Sequence, residues 1–229
     1  MSYSPMNWAI VKRLILKDWY FQRWPTCGYL AAGALAVILV AAGSEATFYA
    51  GTILMFTVMI TLGIQLPMST VIAERKEQTL PFVMSLPVSP REYATAKILA
   101  NLLTLFVPWA ILTFGCLAVL ADRTGLPGGL IPFGAIALTE ILASSCLLLL
   151  VALATESQGW TIAVMVSCNL LFQGFLYWMS HIPSIAATMN RKAAVWNPAA
   201  VNLLLGEVGV IALLLGLCFY FQSRKTDFI

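Results

Sequence analysis

Long apolar stretches alternate with short polar breaks along the whole chain. A helix that crosses the roughly 30 Å hydrocarbon core of a bilayer needs about 20 largely apolar residues, at a rise of about 1.5 Å each. The pattern therefore predicts six membrane-spanning helices, over residues 26–42, 48–72, 97–120, 131–154, 160–179 and 201–221. We expect one transmembrane domain over residues 1–229, in the all-α membrane class.

The composition favours a lipid environment over an aqueous one. Hydrophobic residues make up 60% of the chain and charged residues only 10%, whereas a soluble domain carries about 25% charged residues. The five cysteines stand singly in apolar stretches, which predicts helix packing and neither a disulfide framework nor a metal site. A net charge of +3 is too small to favour a nucleic acid as partner.

The basic residues indicate the orientation of the helices, because cytoplasmic loops of membrane proteins are enriched in Lys and Arg. With both termini inside, ten basic residues lie on the cytoplasmic side and three lie outside. The inner set is Lys12, Arg13, Lys17, Arg23, Arg75, Lys76, Arg91, Lys97, Arg224 and Lys225, and the outer set is Arg123, Arg191 and Lys192. We therefore expect a multi-pass protein of the plasma (inner) membrane with both termini in the cytoplasm.

Residues 7–23 precede the first predicted span and carry five charged side chains, too many for a bilayer crossing. Apolar residues recur at helical spacing, with basic residues on the opposite side; the apolar set is Trp8, Val11, Ile15 and Trp19. This pattern predicts a helix that lies in the plane of the membrane interface, although Asp18 fits it poorly. A plain stop signal before the first span is the alternative.

The loop between the second and third spans is the most unusual polar break. Charged clusters near Glu74 and Glu92 bracket an apolar patch of about ten residues, which is too short to span a bilayer. Pro81 suits the first turn of a short helix, and Pro87 and Pro90 would end it. Because such a patch needs a surface to cover it, we expect a cytoplasmic docking helix or, alternatively, a helix that rests on the bilayer.

Residues 180–200, on the predicted outer side, form an irregular segment before the last span. It holds His181, which is the single histidine of the chain, and the sequence Trp196-Asn197-Pro198. The segment is too long for a tight turn and too apolar for a free loop. We therefore expect a partly re-entrant or interfacial helical pair, with Trp196 at the level of the lipid headgroups.

Several polar side chains lie within the predicted spans, and five of them are candidates for function: Gln65, Glu140, Asn169, Gln173 and Glu207. Polar groups inside a bilayer usually face a bundle interior or a water-filled path, because contact with lipid is unfavourable. Each candidate therefore belongs either to a translocation path or to a contact between helices. None stands in a pattern typical of a catalytic site or a metal site.

The loop residues resemble those of type-2 ABC transporter permeases, the ABC-2-like exporters. That family carries a Glu-Arg pair at the end of the second span, a Thr soon after, a Leu-Pro-Val-Ser-type turn, and a Lys that opens the third span. The matching residues here are Glu74, Arg75, Thr79, Leu86-Pro87-Val88-Ser89 and Lys97, while Gln78 stands where the family usually has Gly. The predicted layout of spans and flanking helices is similar as well.

The resemblance implies the membrane-spanning half-subunit of an ATP-binding-cassette exporter. Two permease chains, identical or related, would form the translocation path in the bilayer, and each would bind a cytoplasmic ATPase subunit. The loop would be the coupling helix, and its contact residues would be Glu74, Arg75, Thr79, Leu80, Phe82, Val83, Ser85 and Leu86. We expect no cofactor in this chain, because it lacks a Gly-x-x-x-x-Gly-Lys-Ser/Thr stretch; ATP and Mg²⁺ would be bound by the partner.

Other function classes remain as alternatives. A self-contained secondary transporter commonly contains internal repeats, but the two three-helix halves of this chain show no convincing correspondence. A small-molecule-binding membrane subunit would have less need of an apolar docking loop. An intramembrane enzyme needs a nucleophile with its base or grouped metal ligands, whereas His181 stands alone and no Gly-x-Ser-x-Gly occurs. We therefore expect that the chain itself is not an enzyme.

Cysteine-accessibility labelling tests the predicted orientation. Because the basic residues concentrate on one side, Ser85→Cys and Ser223→Cys should react only from the cytoplasmic side. Gly125→Cys and Ser184→Cys should react only from the outer side. A cysteine at position 85 that reacts from outside would contradict the permease interpretation.

Overall fold

The computed structural model describes residues 6–76, 89–122 and 126–224. Within these ranges the six candidate membrane-spanning helices expected from the sequence are present. The α-helices are α1 (Trp8–Ala41), α2 (Glu45–Pro67), α3 (Ala73–Lys76), α4 (Pro90–Asp122), α5 (Leu130–Thr155), α6 (Gln158–His181), α7 (Pro183–Met189) and α8 (Pro198–Arg224). A π-helical segment, Met68–Ile72, joins α2 to α3.

The first helix is longer than the sequence pattern predicts. The segment 7–23 and the span 26–42, expected as separate elements, form one helix of 34 residues with Pro25 inside it. Neighbouring helices in a membrane bundle allow a helix to continue past a proline. At about 1.5 Å per residue α1 is about 51 Å long, which exceeds the roughly 30 Å core of a bilayer. That the N-terminal part lies in the interface plane stays a prediction.

The N-terminal half of α1 buries a polar face. Val11, Asp18, Gln22 and Thr26 are buried, and they follow one another at intervals close to whole helical turns. The aromatic side chains point away from the protein: Trp8, Trp19, Tyr20, Phe21 and Trp24 are all exposed. Of the predicted stripe of Trp8, Val11, Ile15 and Trp19, only Val11 is fully buried, so most of the stripe does not lie on the face that packs. Asp18 does lie on that face.

The helix α5 is the centre of the bundle. In the most apolar 18-residue stretch of α5, 78% of the residues are buried, whereas the corresponding fraction is 17% in each of α6 and α8. It packs against α2, α4, α6 and α8, while α1 packs against α2 and α4. Large faces of α6 and α8 are therefore not covered by the described part of this chain.

The segment between α6 and α8 contains one short helix, α7, rather than the expected helical pair. The buried side chain of Ile185 anchors α7. Asn197 joins this segment to the start of α8, because its side chain accepts a hydrogen bond from Ala200 N at 2.8 Å and donates one to Ser184 O at 2.7 Å. The partly re-entrant course expected from the sequence is not confirmed.

The helices α2 and α5 approach each other closely at Gly63. A Cβ atom at this position would overlap the side chain of Ser145 and would lie 2.9 Å from its Cβ. Glycine is therefore required here for the contact between the two helices, as is common in membrane bundles.

Replacing this glycine tests the contact. Gly63→Ala should lower the free energy of unfolding by about 1–3 kcal/mol, because the added methyl group overpacks the α2–α5 contact. Gly115→Ala on α4 is the matched control, since nothing lies within 4 Å of its Cβ position. Thermal unfolding in detergent measures both variants, and equal midpoints would contradict the close approach.

Candidate functional site

Five polar side chains from three helices meet next to the loop 77–88, and we call them the ion-pair cluster: Lys17, Asp18, Glu74, Tyr93 and Lys97. Lys97 Nζ lies 2.8 Å from Asp18 Oδ2 and 2.7 Å from Glu74 Oε1. Lys17 Nζ lies 3.0 Å from the same Glu74 oxygen and 3.3 Å from Asp18 Oδ1. The hydroxyl of Tyr93 donates to Glu74 Oε2 at 2.6 Å. The cluster thus joins α1, α3 and α4.

The charges of the ion-pair cluster are shielded from solvent and balance one another. The exposed side-chain fractions are 4% for Lys97, 6% for Asp18 and 16% for Glu74, against 35% for Lys17. Burial by itself would raise the pKa of Glu74. The charge of Lys97, helped by hydrogen bonds from Lys97 and Tyr93, outweighs burial and holds that pKa below its ordinary value. Glu74 is therefore ionised at neutral pH.

A second contact holds the other end of the loop. Glu92 is buried, and its carboxylate accepts hydrogen bonds from Asn7 N at 2.7 Å and from Ser89 N at 2.9 Å. These backbone donors lower the pKa of Glu92. Ser89 is the first described residue after the loop, and Glu74 lies three residues before the loop begins. Both ends of the loop are therefore bonded to the N-terminal half of α1 or to the residue that caps it.

The expected ATPase-contact residues fall into two groups. Thr79, Leu80, Phe82, Val83, Ser85 and Leu86 lie outside the described residues, as does the side chain of Arg75. Glu74 bonds within this chain to Lys97, Lys17 and Tyr93. Glu74 and Lys97, which the sequence motif placed at either end of the loop, are thus direct partners. Contact of any of these residues with an ATPase stays a prediction.

Within the spans the structure brings Glu140 and Glu207 together. The helices α5 and α8 run parallel, since Ala137 packs in one apolar cluster with Leu203 and Leu204, and Leu150 packs farther along with Leu217. This register places Glu207 beside Glu140, and the two carboxylates interact electrostatically. We call them the carboxylate pair.

The two members of the carboxylate pair have different surroundings. Glu207 is only 7% exposed, and neither of its carboxylate oxygens has a hydrogen-bond partner among the described residues. Glu140 is half-buried and accepts a hydrogen bond of 3.5 Å from Ser144. A buried carboxylate without a partner is unfavourable when ionised, so the pair needs a proton or another cation.

The remaining candidates within the spans lie apart from the carboxylate pair or only border it. Asn169 lines a cavity of about 20 Å³ with Ser144 and Cys168, which is room for about one water molecule. Its Nδ2 donates to Met165 O at 2.9 Å. Gln65 is half-buried on α2, and Gln173 is exposed on α6.

A larger cavity lies at the far end of the bundle from the ion-pair cluster. It measures about 600 Å³ and is bounded by α1, α2, α4 and α5. Its lining is mainly apolar, with Val40, Phe56 and Leu138 among its walls and Glu45 at its rim. Small-molecule sites in proteins commonly have this size and character. The sequence alone did not indicate this cavity.

Comparison with known proteins identifies a family. The family described as ABC-2 family transporter protein matches residues 13–226, which is nearly the whole chain. The matched range includes the ion-pair cluster and the carboxylate pair. No curated protein and no solved structure was found to match the chain.

Two lysine variants test the ion-pair cluster. Lys97→Met should lower the free energy of unfolding by about 3–5 kcal/mol, because it leaves Asp18 and Glu74 buried without their main counter-charge. Lys17→Met is the matched control: it removes the same charge from a more exposed position and should cost less than about 1 kcal/mol. Thermal unfolding followed by circular dichroism measures both, and similar losses would contradict the dominant role of Lys97.

Proposed function

This chain belongs to the ABC-2 transporter family, and we propose that it is the membrane-spanning permease subunit of an ATP-driven exporter. In this proposal two permease chains pair in the plasma membrane with their termini in the cytoplasm. Each chain binds one cytoplasmic ATPase subunit, which holds ATP and Mg²⁺. The permease itself catalyses no reaction.

The observation that carries this proposal is the attachment of both ends of the loop 77–88. Glu74 before the loop bonds to Lys97 after it, and both contact α1 through Lys17 and Asp18. A loop whose ends are bonded to a long helix passes an applied force into the bundle, because its ends do not move independently. This arrangement suits a segment that transmits a conformational change from a soluble partner.

The sequence of the loop supplies a surface for such a partner. Leu80, Phe82 and Val83 are apolar, and charged residues such as Glu77 and Arg91 flank them. A groove on a soluble subunit accepts both the apolar face and the mixed charges. An anionic membrane leaflet would attract the basic residues and repel the acidic ones. The ATPase is therefore the better-matched partner.

The uncovered faces of α6 and α8 support pairing with a second permease chain. Ser167 and Gln173 on α6 are exposed although both lie inside the span. Polar side chains at this depth usually face protein or a water-filled path rather than lipid. In the proposed dimer these faces contact the second chain or line the path between the two chains.

Charge insertion into the loop tests the proposed contact. Leu80→Asp or Phe82→Asp should reduce recovery of the ATPase subunit in a pull-down from detergent by more than about tenfold, because an unpaired carboxylate at a buried contact is strongly unfavourable. Transport should fall in parallel, while the isolated ATPase keeps its basal activity. The six helices should still insert, since the substitutions lie outside all of them.

Asn190→Asp is the matched control for added charge. Asn190 is exposed at the opposite end of the bundle, beyond α7. This variant should recover the ATPase and transport as the unmodified chain does. Equal recovery and equal transport by the Leu80 and Phe82 variants would show that the loop is not the coupling element.

A further inference from the structure

The carboxylate pair has no positive partner in the spans of its own chain. The sequence contains no Lys or Arg between Lys97 and Arg123, between Arg123 and Arg191, or between Lys192 and Arg224. The helices α5 and α6 and the interior of α8 therefore carry no Lys or Arg, and α2 carries none either; His181 is the last residue of α6. A second identical chain adds none. Compensation for a negative charge on the pair must come from outside the polypeptide.

The pair lies well inside the hydrocarbon region. Glu140 is the eleventh of the 26 residues of α5, and Glu207 is the tenth of the 27 residues of α8. At about 1.5 Å per residue, the two positions lie about 4 Å and 6 Å from the midpoints of their helices. Half of the hydrocarbon core is about 15 Å thick, so water at the membrane surface does not reach them.

The geometry of the pair favours binding over permanent neutrality. Glu207 is buried and its oxygens have no hydrogen-bond partner among the described residues, so a neutral carboxyl also leaves polar atoms unsatisfied. Glu140 is half-buried, and large faces of α6 and α8, which both pack on α5, are left uncovered by the described part of this chain. A positive group that approaches from these faces meets Glu140 before the more deeply buried Glu207.

We propose that Glu140 and Glu207 bind the positively charged group of a transported organic cation, such as the ammonium of an amphiphilic amine. The inference rests on the proposed function, because it assigns the class of substrate that the permease carries. The two carboxylates supply the charge, and the exposed apolar side chains of α6 and α8, such as Leu170 and Leu205, accept the hydrocarbon part of the molecule.

The surroundings favour an organic cation over a metal ion. Metal cations such as Ca²⁺ take six to eight oxygen ligands, whereas among the described residues the hydrogen-bond partner of the pair is a single hydroxyl, that of Ser144 on Glu140. No group of three or more metal-ligating side chains occurs within the described residues. Phe172 of α6, stacked edge to face on Phe56 with centroids 5.5 Å apart, lines a small cavity together with Ser144, the hydrogen-bond partner of Glu140. Aromatic rings of this kind attract organic cations.

Binding of a lipophilic cation tests the inference without the ATPase. The purified chain in nanodiscs of phosphatidylcholine, which carries no net charge, is titrated with tetraphenylphosphonium and, separately, with neutral triphenylphosphine oxide. The unmodified chain should prefer the cation. Glu140→Gln and Glu207→Gln should each weaken cation binding by at least about tenfold, because each removes a charge contact in a low-dielectric setting. Binding of the neutral compound should not change.

Asp122→Asn is the matched control, since it removes an exposed carboxylate at the end of α4 and should bind the cation as before. Equal binding by the Gln variants, or equal binding of the neutral and charged compounds, would overturn the proposal. Displacement of the cation by sodium chloride, and not by choline chloride, would overturn it in favour of a metal-ion site.

The two proposals fail separately. Loss of the cation preference with normal recovery of the ATPase would remove the substrate class and keep the permease. Normal cation binding by an unmodified chain that recovers no ATPase would remove the permease proposal and keep the cation site. Glu140→Gln gives a readout even where Glu207→Gln does not fold, because Glu140 is only half-buried and its amide replacement has nearly the same shape.

Discussion

A single ammonium group, Lys97 Nζ, bridges two carboxylates from different helices at 2.8 Å and 2.7 Å. The packing of α1, α3 and α4 next to the loop 77–88 depends on that bridge. Asp18 on the buried face of α1 is stabilised mainly by Lys97 and also by Lys17, and α1 can therefore pack against α4 with a polar surface. Glu74 is fixed by the same group, so the start of the loop is held as well. With Lys97 removed, two buried carboxylates would repel each other and the contacts among α1, α3 and α4 would weaken together.

Two pairs of carboxylates in this chain differ in whether lysine side chains neutralise them. Asp18 and Glu74 are balanced by lysines from the same polypeptide, and nothing further is needed for that site to be stable. Glu140 and Glu207 have no such partner among the described residues, although Glu207 is about as deeply buried as Asp18. The ion-pair cluster suits a permanent contact between helices, because its charges are neutralised within the chain. The carboxylate pair suits a ligand that binds and leaves, because its negative charge is neutralised only when a positive group is bound.

The six helices could be predicted because the thickness of a bilayer imposes a length on any apolar span, whatever the packing. The break between α5 and α6 was marked only by a few polar residues. The structure ends α5 at Thr155, and the next residue, Glu156, has a left-handed φ of 52°. The packed face of α1 could not be predicted, since it is decided by Lys97, which lies 79 residues from Asp18. The misfit of Asp18 in the aromatic stripe was the available signal. Glu140 and Glu207 were both predicted as candidate functional residues. Their proximity could not be predicted, because it depends on the register between α5 and α8, which the sequence pattern does not determine.

The unbroken course of α1 makes it a lever with unequal arms. Beside Gly51 the backbone of α2 comes so close that a Cβ atom there would lie 2.8 Å from Ala36 O, so this is a point of tight contact between α1 and α2. From Ala36 the arm toward Asp18 is about 27 Å long, and the arm toward Val40, in the wall of the large cavity, is about 6 Å long. If α1 turned about this contact as a rigid rod, a displacement of about 4 Å at Asp18 would correspond to about 1 Å at Val40. Pro25 donates no backbone hydrogen bond, so the long arm bends more easily at that turn than elsewhere.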